Sequence, residues 1–536
     1  MWRGWWLAGF LGLWAVLASA QDELPSLAVE SLSGKTLQLP ADLLPRPQLL
    51  IVGFSRDSRE QTEPWMRRMT GTRGKVAASV RQVVVLDVPV LLRGFIVSRI
   101  RSAVPQPMHA RSLVASTDID AWKRITGFDA RDEDAAYLLL LDAQHRVIWR
   151  GRGPWSRDTE AELLAALGAA ASPPSGIARV DTRARELMQR EGVNGLALAV
   201  IDDGRVTYVA SYGYRNVEKA LPLTPDTIMY GASLTKTAFA YMVLQLVEEG
   251  RLDLDTPIAE LLPQALPEYE AFADLADDER WRQLTPRMLL SHTSGMANFR
   301  WLEDDGKLRF HHDPGTRYGY SGEGYYILQL VLEEGLGLDV GAEMQTRIFD
   351  RFGMRHTSMQ WREDFADNLA DGYALDGSME PHDERSRVSA AGSMDTTIAD
   401  QARMWAAIVR GDGLDKRSRA ELVRPAWPIG SRHQFPTLGP AEDARNRDIG
   451  LAAGLGLVVF EDDSGPAFFK GGHNEWTGNI VVCLETGRRC AVLMSNDVRA
   501  ERIYPQLVTE ILGETRMPWR WEYGWLDAGD DDDDPS

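Results

Sequence analysis

The chain has 536 residues, 44% of them hydrophobic and 26% charged, a globular balance in a length that calls for more than one core. Its formal net charge is −19. Such a surface repels the phosphates of nucleic acid and anionic lipid, so neither is expected as a partner. Residues 1–20 read as a cleaved signal peptide: Arg3, a short apolar run from Trp5 to Leu17, then Ala18-Ser19-Ala20 before Gln21. The run is shorter than the roughly 20 residues a membrane span requires. A periplasmic or secreted protein with no membrane span after cleavage is therefore expected.

Residues 21–171 form the first expected domain. Buried-strand runs lie at Leu49–Phe54, Val83–Val88 and Tyr137–Asp142, the last turning through Ala143-Gln144 into His145–Trp149. Helical stretches separate them, and a helix from Thr159 to Ala171 closes the domain. This β-α-β, then β-hairpin-α order resembles a thioredoxin-like fold, and more loosely a mitochondrial ATP-synthase assembly factor family of that fold. Thioredoxin chemistry needs a thiolate, but this domain has no cysteine, and Ser55-Arg56-Asp57-Ser58-Arg59 follows the first core strand. Redox catalysis is excluded; capture of a protein partner remains open to this domain.

Ser172-Pro173-Pro174-Ser175-Gly176 marks a linker. Beyond it, residues 172–515 pattern as a second domain. A helix (178–191) leads into a strand pair, Gly195–Ile201 and Val206–Tyr214, turning at Asp202-Asp203-Gly204. Another strand pair lies at the far end, 479–485 and 489–494, followed by a helix near 504–512. Strands at both ends with helices between them predict one antiparallel sheet built from the two termini of the domain. The turn Glu485-Thr486-Gly487-Arg488 sets Cys483 opposite Cys490, within disulfide reach, and an oxidising compartment would favour the bridge. Residues 516–536 end in an acidic run, Asp530–Asp534, and read as a disordered tail.

Three segments carry chemistry. In Tyr230-Gly231-Ala232-Ser233-Leu234-Thr235-Lys236, serine and lysine stand three residues apart at the head of an apolar helix, so they share one face. A hydroxyl beside an amine is the layout of an activated nucleophile. The helix N-terminus would favour a developing oxyanion. Serine at such a position is otherwise most often a helix cap. The second segment, Pro314–Tyr325, presents Tyr320 in a Tyr-Ser turn before a helix from Tyr326 to Glu333. A phenol flanked by ammonium groups can exchange the serine proton. The third, Phe468-Phe469-Lys470-Gly471-Gly472-His473, sets a lysine and two glycines on an expected edge strand, where the glycines allow a substrate to approach the backbone.

In this order the three segments resemble the serine β-lactamase and penicillin-binding-protein superfamily, nearest its class C β-lactamase, D,D-peptidase and esterase branch. The stretches Leu246–Pro257 and Leu284–Met296 carry the same resemblance. It implies a mixed α+β and α/β architecture, an antiparallel sheet flanked by helices plus an all-helical subdomain. It implies Ser233 as the acylated nucleophile and Lys236 with Tyr320 as the proton-transfer pair, either being the base. Lys470, Gly471 and Gly472 would be the electrostatic and substrate-binding group. The backbone N–H groups of Ser233 and His473 would form the oxyanion hole. No cofactor is implied. His292, in Ser-His-Thr-Ser-Gly, matches a structural position of the family. His311, His312 and Asp313 are adjacent loop residues whose side chains are not expected to converge on a metal.

Two departures shift the expected substrate. The family's lactamases carry asparagine two positions after the tyrosine, where it contacts the substrate amide; here that residue is Gly322. Glu475 and Trp476 stand where many relatives have small residues. Both favour esters or peptide-like amides over β-lactams. The competing expectation is a catalytically weak binding or chaperone-like assembly protein that works through its first domain.

Overall fold

The computed structural model describes residues 24–43, 47–70, 79–142, 145–171 and 175–524. The expected signal peptide, residues 172–174 of the linker and the Asp530–Asp534 run lie outside the described residues. The chain divides into two compact units after Ala171. No helix among the described residues is long and apolar enough to cross a membrane.

The first unit is built on seven strands: β1 (Leu27–Ser31), β2 (Thr36–Leu39), β3 (Gln48–Gly53), β4 (Ser79–Val85), β5 (Ser112–Ala115), β6 (Tyr137–Leu141) and β7 (Val147–Arg152). They lie in the order β2-β1-β5-β4-β3-β6-β7. The helix α1 (Arg59–Thr70) joins the parallel pair β3 and β4. β6 returns antiparallel to β3, and β7 antiparallel to β6. Leu50 and Val52 point to a core with Val83, Leu113 and Trp122, while Leu49 and Ile51 point to one with Trp65, Leu138 and Leu140. Two covered faces explain why these strands read as unbroken apolar runs. The helices α2 (Val90–Ala103), α3 (Ile119–Thr126) and α4 (Arg157–Ala171) complete the unit. Strands β1, β2 and β5 were not legible in the sequence. Each has only four or five residues, too few to display a period.

The second unit opens with α5 (Ser175–Glu191), which begins inside the expected linker and three residues before the expected helix. Nine strands follow in one sheet: β8 (Gly195–Asp202), β9 (Arg205–Asn216), β10 (Leu221–Pro222), β11 (Trp427–Pro428), β12 (Ala452–Ala453), β13 (Val458–Asp462), β14 (Gly465–His473), β15 (Gly478–Leu484) and β16 (Arg489–Ser495). Their order is β10-β9-β8-β16-β15-β14-β13-β12-β11, antiparallel throughout. The domain's two ends meet where β16 pairs with β8, from Cys490 opposite Ile201 to Met494 opposite Ala197.

Period-two alternation divides this sheet between two cores. Ile480, Val482 and Leu484 face α5 and α9 (Tyr504–Leu512), alongside Leu187 and Leu507. Val481 and Cys483 face the other way, toward α6 (Leu234–Glu248) and α8 (Ile398–Arg410), alongside Phe239 and Trp405. Between these two helices in the chain runs α7 (Gly322–Leu330). Cys483 and Cys490 are directly opposed and joined by a disulfide.

Two expectations need correction. The segment 516–524, assigned to a solvated tail, folds onto the domain. Met517, Trp521, Glu522 and Tyr523 are buried, Trp521 and Glu522 on the short helix α10 (Trp519–Glu522). The Trp521 ring lies 6.0 Å from that of Phe469 and 5.9 Å from that of Tyr318. Burying each such aromatic is worth about 1.5–3 kcal/mol, which ties down this segment however acidic its continuation is. The strand carrying Lys470 is also not an edge. β14 lies inside the sheet, between β13 and β15. Its pairing with β13 ends at Phe469, however, while its pairing with β15 continues to His473. The lysine and both glycines therefore occupy a free margin on an interior strand.

Candidate active site

The site begins with a constrained backbone. Met229 and Tyr230 pair with Thr396 and Asp395. The Gly231 N–H donates to the Met394 carbonyl at 2.8 Å, and the Tyr230 hydroxyl to the Gly392 carbonyl at 2.7 Å. The next residue, Ala232, sits at φ 46°, a left-handed conformation that costs a non-glycine residue about 1 kcal/mol. The Thr235 hydroxyl donates to the Ala232 carbonyl at 2.6 Å and locks the bend. Ser233 then emerges at the N-cap of α6, yet its side chain makes no capping hydrogen bond. The commonest role for serine at this place is not the one adopted. Its Oγ instead receives a hydrogen bond from Lys236 Nζ at 3.1 Å.

Lys236 is completely buried. Its ammonium also donates to the Ala391 carbonyl at 2.5 Å and stands 5.1 Å from the Tyr320 ring centroid. Burial pushes its pKa below the ordinary lysine range; Lys470 pushes the same way, and Tyr320 opposes. An amine poised to lose its proton beside a hydroxyl is a competent base.

Tyr320 is held from three sides. Its ring stacks on His292 at 4.2 Å and meets Phe435 edge-on at 5.4 Å, and its Oη receives a hydrogen bond from Lys470 Nζ at 3.2 Å. His292 Nδ1 accepts from the Ser321 N–H at 3.1 Å. Burial drives the His292 pKa well below the usual imidazole range, and the charges of Lys236 and Lys470 add to the effect. It is a neutral prop for Tyr320, in keeping with its structural assignment. Ser321 caps α7, accepting from the Gly324 N–H at 3.2 Å, so this helix starts four residues earlier than its sequence pattern indicated.

Lys470 is 3% exposed and also donates to the Gly471 carbonyl at 2.9 Å. Burial lowers its pKa to about 8, against the countering charge of Glu522. Gly472 explains the paired glycines. A Cβ there would lie 3.0 Å from the Leu234 nitrogen and 3.1 Å from the Ser233 nitrogen. The backbone entering His473 thus runs alongside the backbone of Ser233. At Gly471 a Cβ would meet Glu522 Oε1 at 1.8 Å. The four side chains picked out in the sequence, and the backbone of Gly471–His473, therefore form one cluster.

Several contributors were missed by sequence reasoning. Glu522 is buried behind Lys470, with Oε2 accepting from Gln434 Nε2 at 2.6 Å. Glu501 Oε1 pairs with His473 Nδ1 at 2.9 Å. Burial would lower the His473 pKa, but the hydrogen bond and charge of Glu501 prevail and raise it. The position of the missing asparagine is filled from another loop: a Cβ at Gly322 would lie 2.2 Å from the Phe299 ring. Any larger residue there would have to displace that ring. Arg300 anchors that loop through hydrogen bonds to Glu323 Oε1 at 3.0 Å and Oε2 at 2.7 Å, and Glu323 is 1% exposed. Only Glu522 carried a local signal, since Trp519, Trp521 and Tyr523 around it contradict a solvated tail.

His311 and His312 do not converge on one partner. His311 Nε2 pairs with Glu303 Oε1 at 2.6 Å, and His312 Nε2 faces Arg317 Nη1 at 3.4 Å, so the two rings serve different partners. Glu475 is exposed, and the Trp476 carbonyl accepts from the Tyr373 N–H at 3.2 Å.

An antiparallel sheet covered by helices on both faces, with a serine and a lysine at the head of a buried helix, is the architecture of the serine β-lactamase and penicillin-binding-protein superfamily. A family model described as Beta-lactamase matches residues 180–511, and the chain belongs to that family. The relatives are distant. Penicillin-binding protein 4 of Amycolatopsis lactamdurans is 35% identical over 185 residues, 32% of this chain and 46% of that protein. Protein flp of Staphylococcus aureus (strain MRSA252) is 25% identical over 215 residues, 37% of this chain and 42% of that protein. The chain thus spans less than half the length of the curated relatives it matches. Among solved structures, the D-alanine carboxypeptidase AmpC of Burkholderia cenocepacia aligns with a TM-score of 0.50 at 22% identity, over 63% of this chain and 98% of its own. A class C β-lactamase aligns with a TM-score of 0.52 at 16% identity, over 65% and 98%. These likenesses show the fold.

Proposed function

We propose that the protein is an exported serine hydrolase that forms an acyl-enzyme on Ser233 and acts on ester or peptide-like amide substrates. The observation that carries this reading is the 3.1 Å contact between the Ser233 Oγ, which caps nothing, and the buried Lys236 Nζ. Neutral Lys236 takes the Ser233 proton as Oγ attacks the substrate carbonyl carbon. The carbonyl oxygen becomes an oxyanion held by the N–H groups of Ser233 and His473. As it collapses, the bond to the leaving group breaks, and that group takes a proton from the Tyr320 hydroxyl. The Lys236 ammonium then reprotonates Tyr320. Water repeats the sequence on the acyl-enzyme and releases the acid.

A fluorophosphonate is expected to label wild-type Ser233 stoichiometrically and to leave Ser233→Ala unlabelled, as read by intact mass. Labelling that survives the substitution overturns the assignment.

The pH profile follows from Lys470, whose charge supports the Tyr320 hydroxyl. With its pKa at about 8, kcat/KM is expected to fall above that pH as the ammonium deprotonates, and Lys470→Met to lack this limb. Stability has the opposite sign. The unfolded chain keeps the ordinary lysine value of about 10.4 and binds the extra proton between the two values. The cost of burying the Lys470 charge is therefore relieved, and stability rises, as pH rises through that window.

The Cys483–Cys490 disulfide supports an oxidising compartment and hence export. The β3-α1-β4 unit followed by the β6-β7 hairpin and α4 supports a thioredoxin-like reading of the first unit. Lacking a thiol, it serves as a docking module for a protein partner.

A further inference from the structure

The cluster is flanked by two features that decide which acyl donors it accepts, and the selectivity they imply rests on the proposed acyl-enzyme chemistry at Ser233. We propose that the site is selective for uncharged esters with an apolar acyl group and discriminates against donors whose leaving group carries a carboxylate.

The first feature is the charge inventory. Lys470 is the cation placed to attract an anionic substrate, but its hydrogen bonds run inward, to Tyr320 Oη and the Gly471 carbonyl. Glu522 is buried against Gly471 and interacts electrostatically with both Lys470 and His473. With Lys470 protonated and Glu522 ionised, the two together carry no net charge. His473 and Glu501 form a second hydrogen-bonded pair at 2.9 Å, in which Glu501 favours the protonated ring. Lys236 is buried and spent on Ser233 and the Ala391 carbonyl. Glu475, two residues beyond His473, is exposed and adds a negative charge at the end of the strand. An incoming carboxylate thus loses its hydration without gaining an uncompensated cation from these groups.

The second feature is apolar. The Phe299 ring packs onto Gly322, two residues from Tyr320, in the space a polar side chain would need. Trp301 stacks on Phe299 at 4.1 Å with its plane tilted by 10°, yet is 62% exposed, and Leu302 is 64% exposed. The Arg300–Glu323 pair fixes the loop between them. An aromatic wall ending in exposed, largely apolar side chains two residues from Tyr320 offers dispersion and burial to an acyl chain.

The test uses two matched esters, 3-(butyryloxy)benzoate and its methyl ester, which share the acyl group and carry a charged and an uncharged leaving group. The full-length wild type is expected to favour the methyl ester by about tenfold or more in kcat/KM. Glu522→Gln, nearly isosteric and uncharged, is expected to raise the benzoate-to-methyl-ester ratio about tenfold, since it leaves Lys470 uncompensated. A merely structural role would lower both rates and leave that ratio fixed. Phe299→Ala is expected to lower the hexanoyl-to-acetyl preference on p-nitrophenyl esters about tenfold. Equal turnover of the matched esters, preference for the benzoate, no turnover of either, or a Glu522→Gln ratio unchanged from wild type overturns the proposal. Fluorophosphonate labelling of Ser233 separates the two levels. With labelling intact, those outcomes sink only the substrate selectivity; without it, the hydrolase reading fails and takes the selectivity with it.

Discussion

Lys236→Met is expected to lower kcat/KM for a p-nitrophenyl ester by about 10⁴-fold while leaving the fold intact. The size follows from what the amine does. Lys236 hydrogen-bonds the Ser233 hydroxyl at 3.1 Å, and burial favours its neutral, proton-accepting form. Without it, Ser233 must ionise at the ordinary value of an alcohol, and general-base assistance worth about 10²–10⁴-fold is lost. The Lys236–Tyr320 proton exchange is lost too, which places the effect at the upper end. Methionine suits the experiment because the site is apolar, with the Tyr320 and Tyr325 rings 5.1 and 5.4 Å from the ammonium. The substitution also removes a buried ionisable group whose desolvation opposes folding. The proposed mechanism makes serine and lysine one unit, so the double variant with Ser233→Ala should be no slower than either single variant. Steady-state kinetics with a thermal melt on each variant checks this. A loss under tenfold in Lys236→Met would remove the amine from the mechanism.

The second large effect concerns stability. Arg300→Met is expected to cost about 3 kcal/mol in the unfolding free energy of the second unit. The substitution leaves Glu323, 1% exposed, without its cationic partner. Arg300 keeps 26% side-chain exposure, which sets the value at the lower end of the range for broken buried pairs. Its other contacts, a hydrogen bond to the Ala271 carbonyl and a position over the Phe272 ring at 5.5 Å, vanish as well. Chemical denaturation followed by tryptophan fluorescence measures the loss. Adding Glu323→Gln should recover part of it, because the double variant no longer buries an unpaired charge. If the double variant is less stable than Arg300→Met alone, the pair is not what holds this loop.

The legible parts of the molecule share a physical character. The β15–β16 hairpin could be read because its turn residues and its period are local, and once the turn is set Cys483 must face Cys490. The α6 helix could be read because nearly every residue from Leu234 to Leu246 is apolar or small, as a helix buried on all sides requires. Strands β1, β2 and β5 could not, being too short to display a period. The β14 margin was half legible. Its glycines announced a close backbone approach, but the approach is to the Ser233 turn, and β14 itself lies inside the sheet. Phe299 gave no local signal, because the constraint is reciprocal. Gly322 is small to admit a ring from a loop 23 residues earlier.

Local order along the polymer was enough to determine the neighbourhood of the Ser233 hydroxyl. Ser233 and Lys236 are one helical turn apart, and no tertiary contact is needed to bring a hydroxyl and an amine onto one face. The chain also carried the identity of the phenol and of the second amine, but not their meeting. Tyr320 and Lys470 are 150 residues apart, and their 3.2 Å contact exists only because β14 and the head of α7 converge on α6. Charge balance was decided at the same level. Glu522 lies beside Lys470 because Met517, Trp521 and Tyr523 bury the segment that bears it, a free-energy choice made by the whole core and not by the acidic composition beyond it.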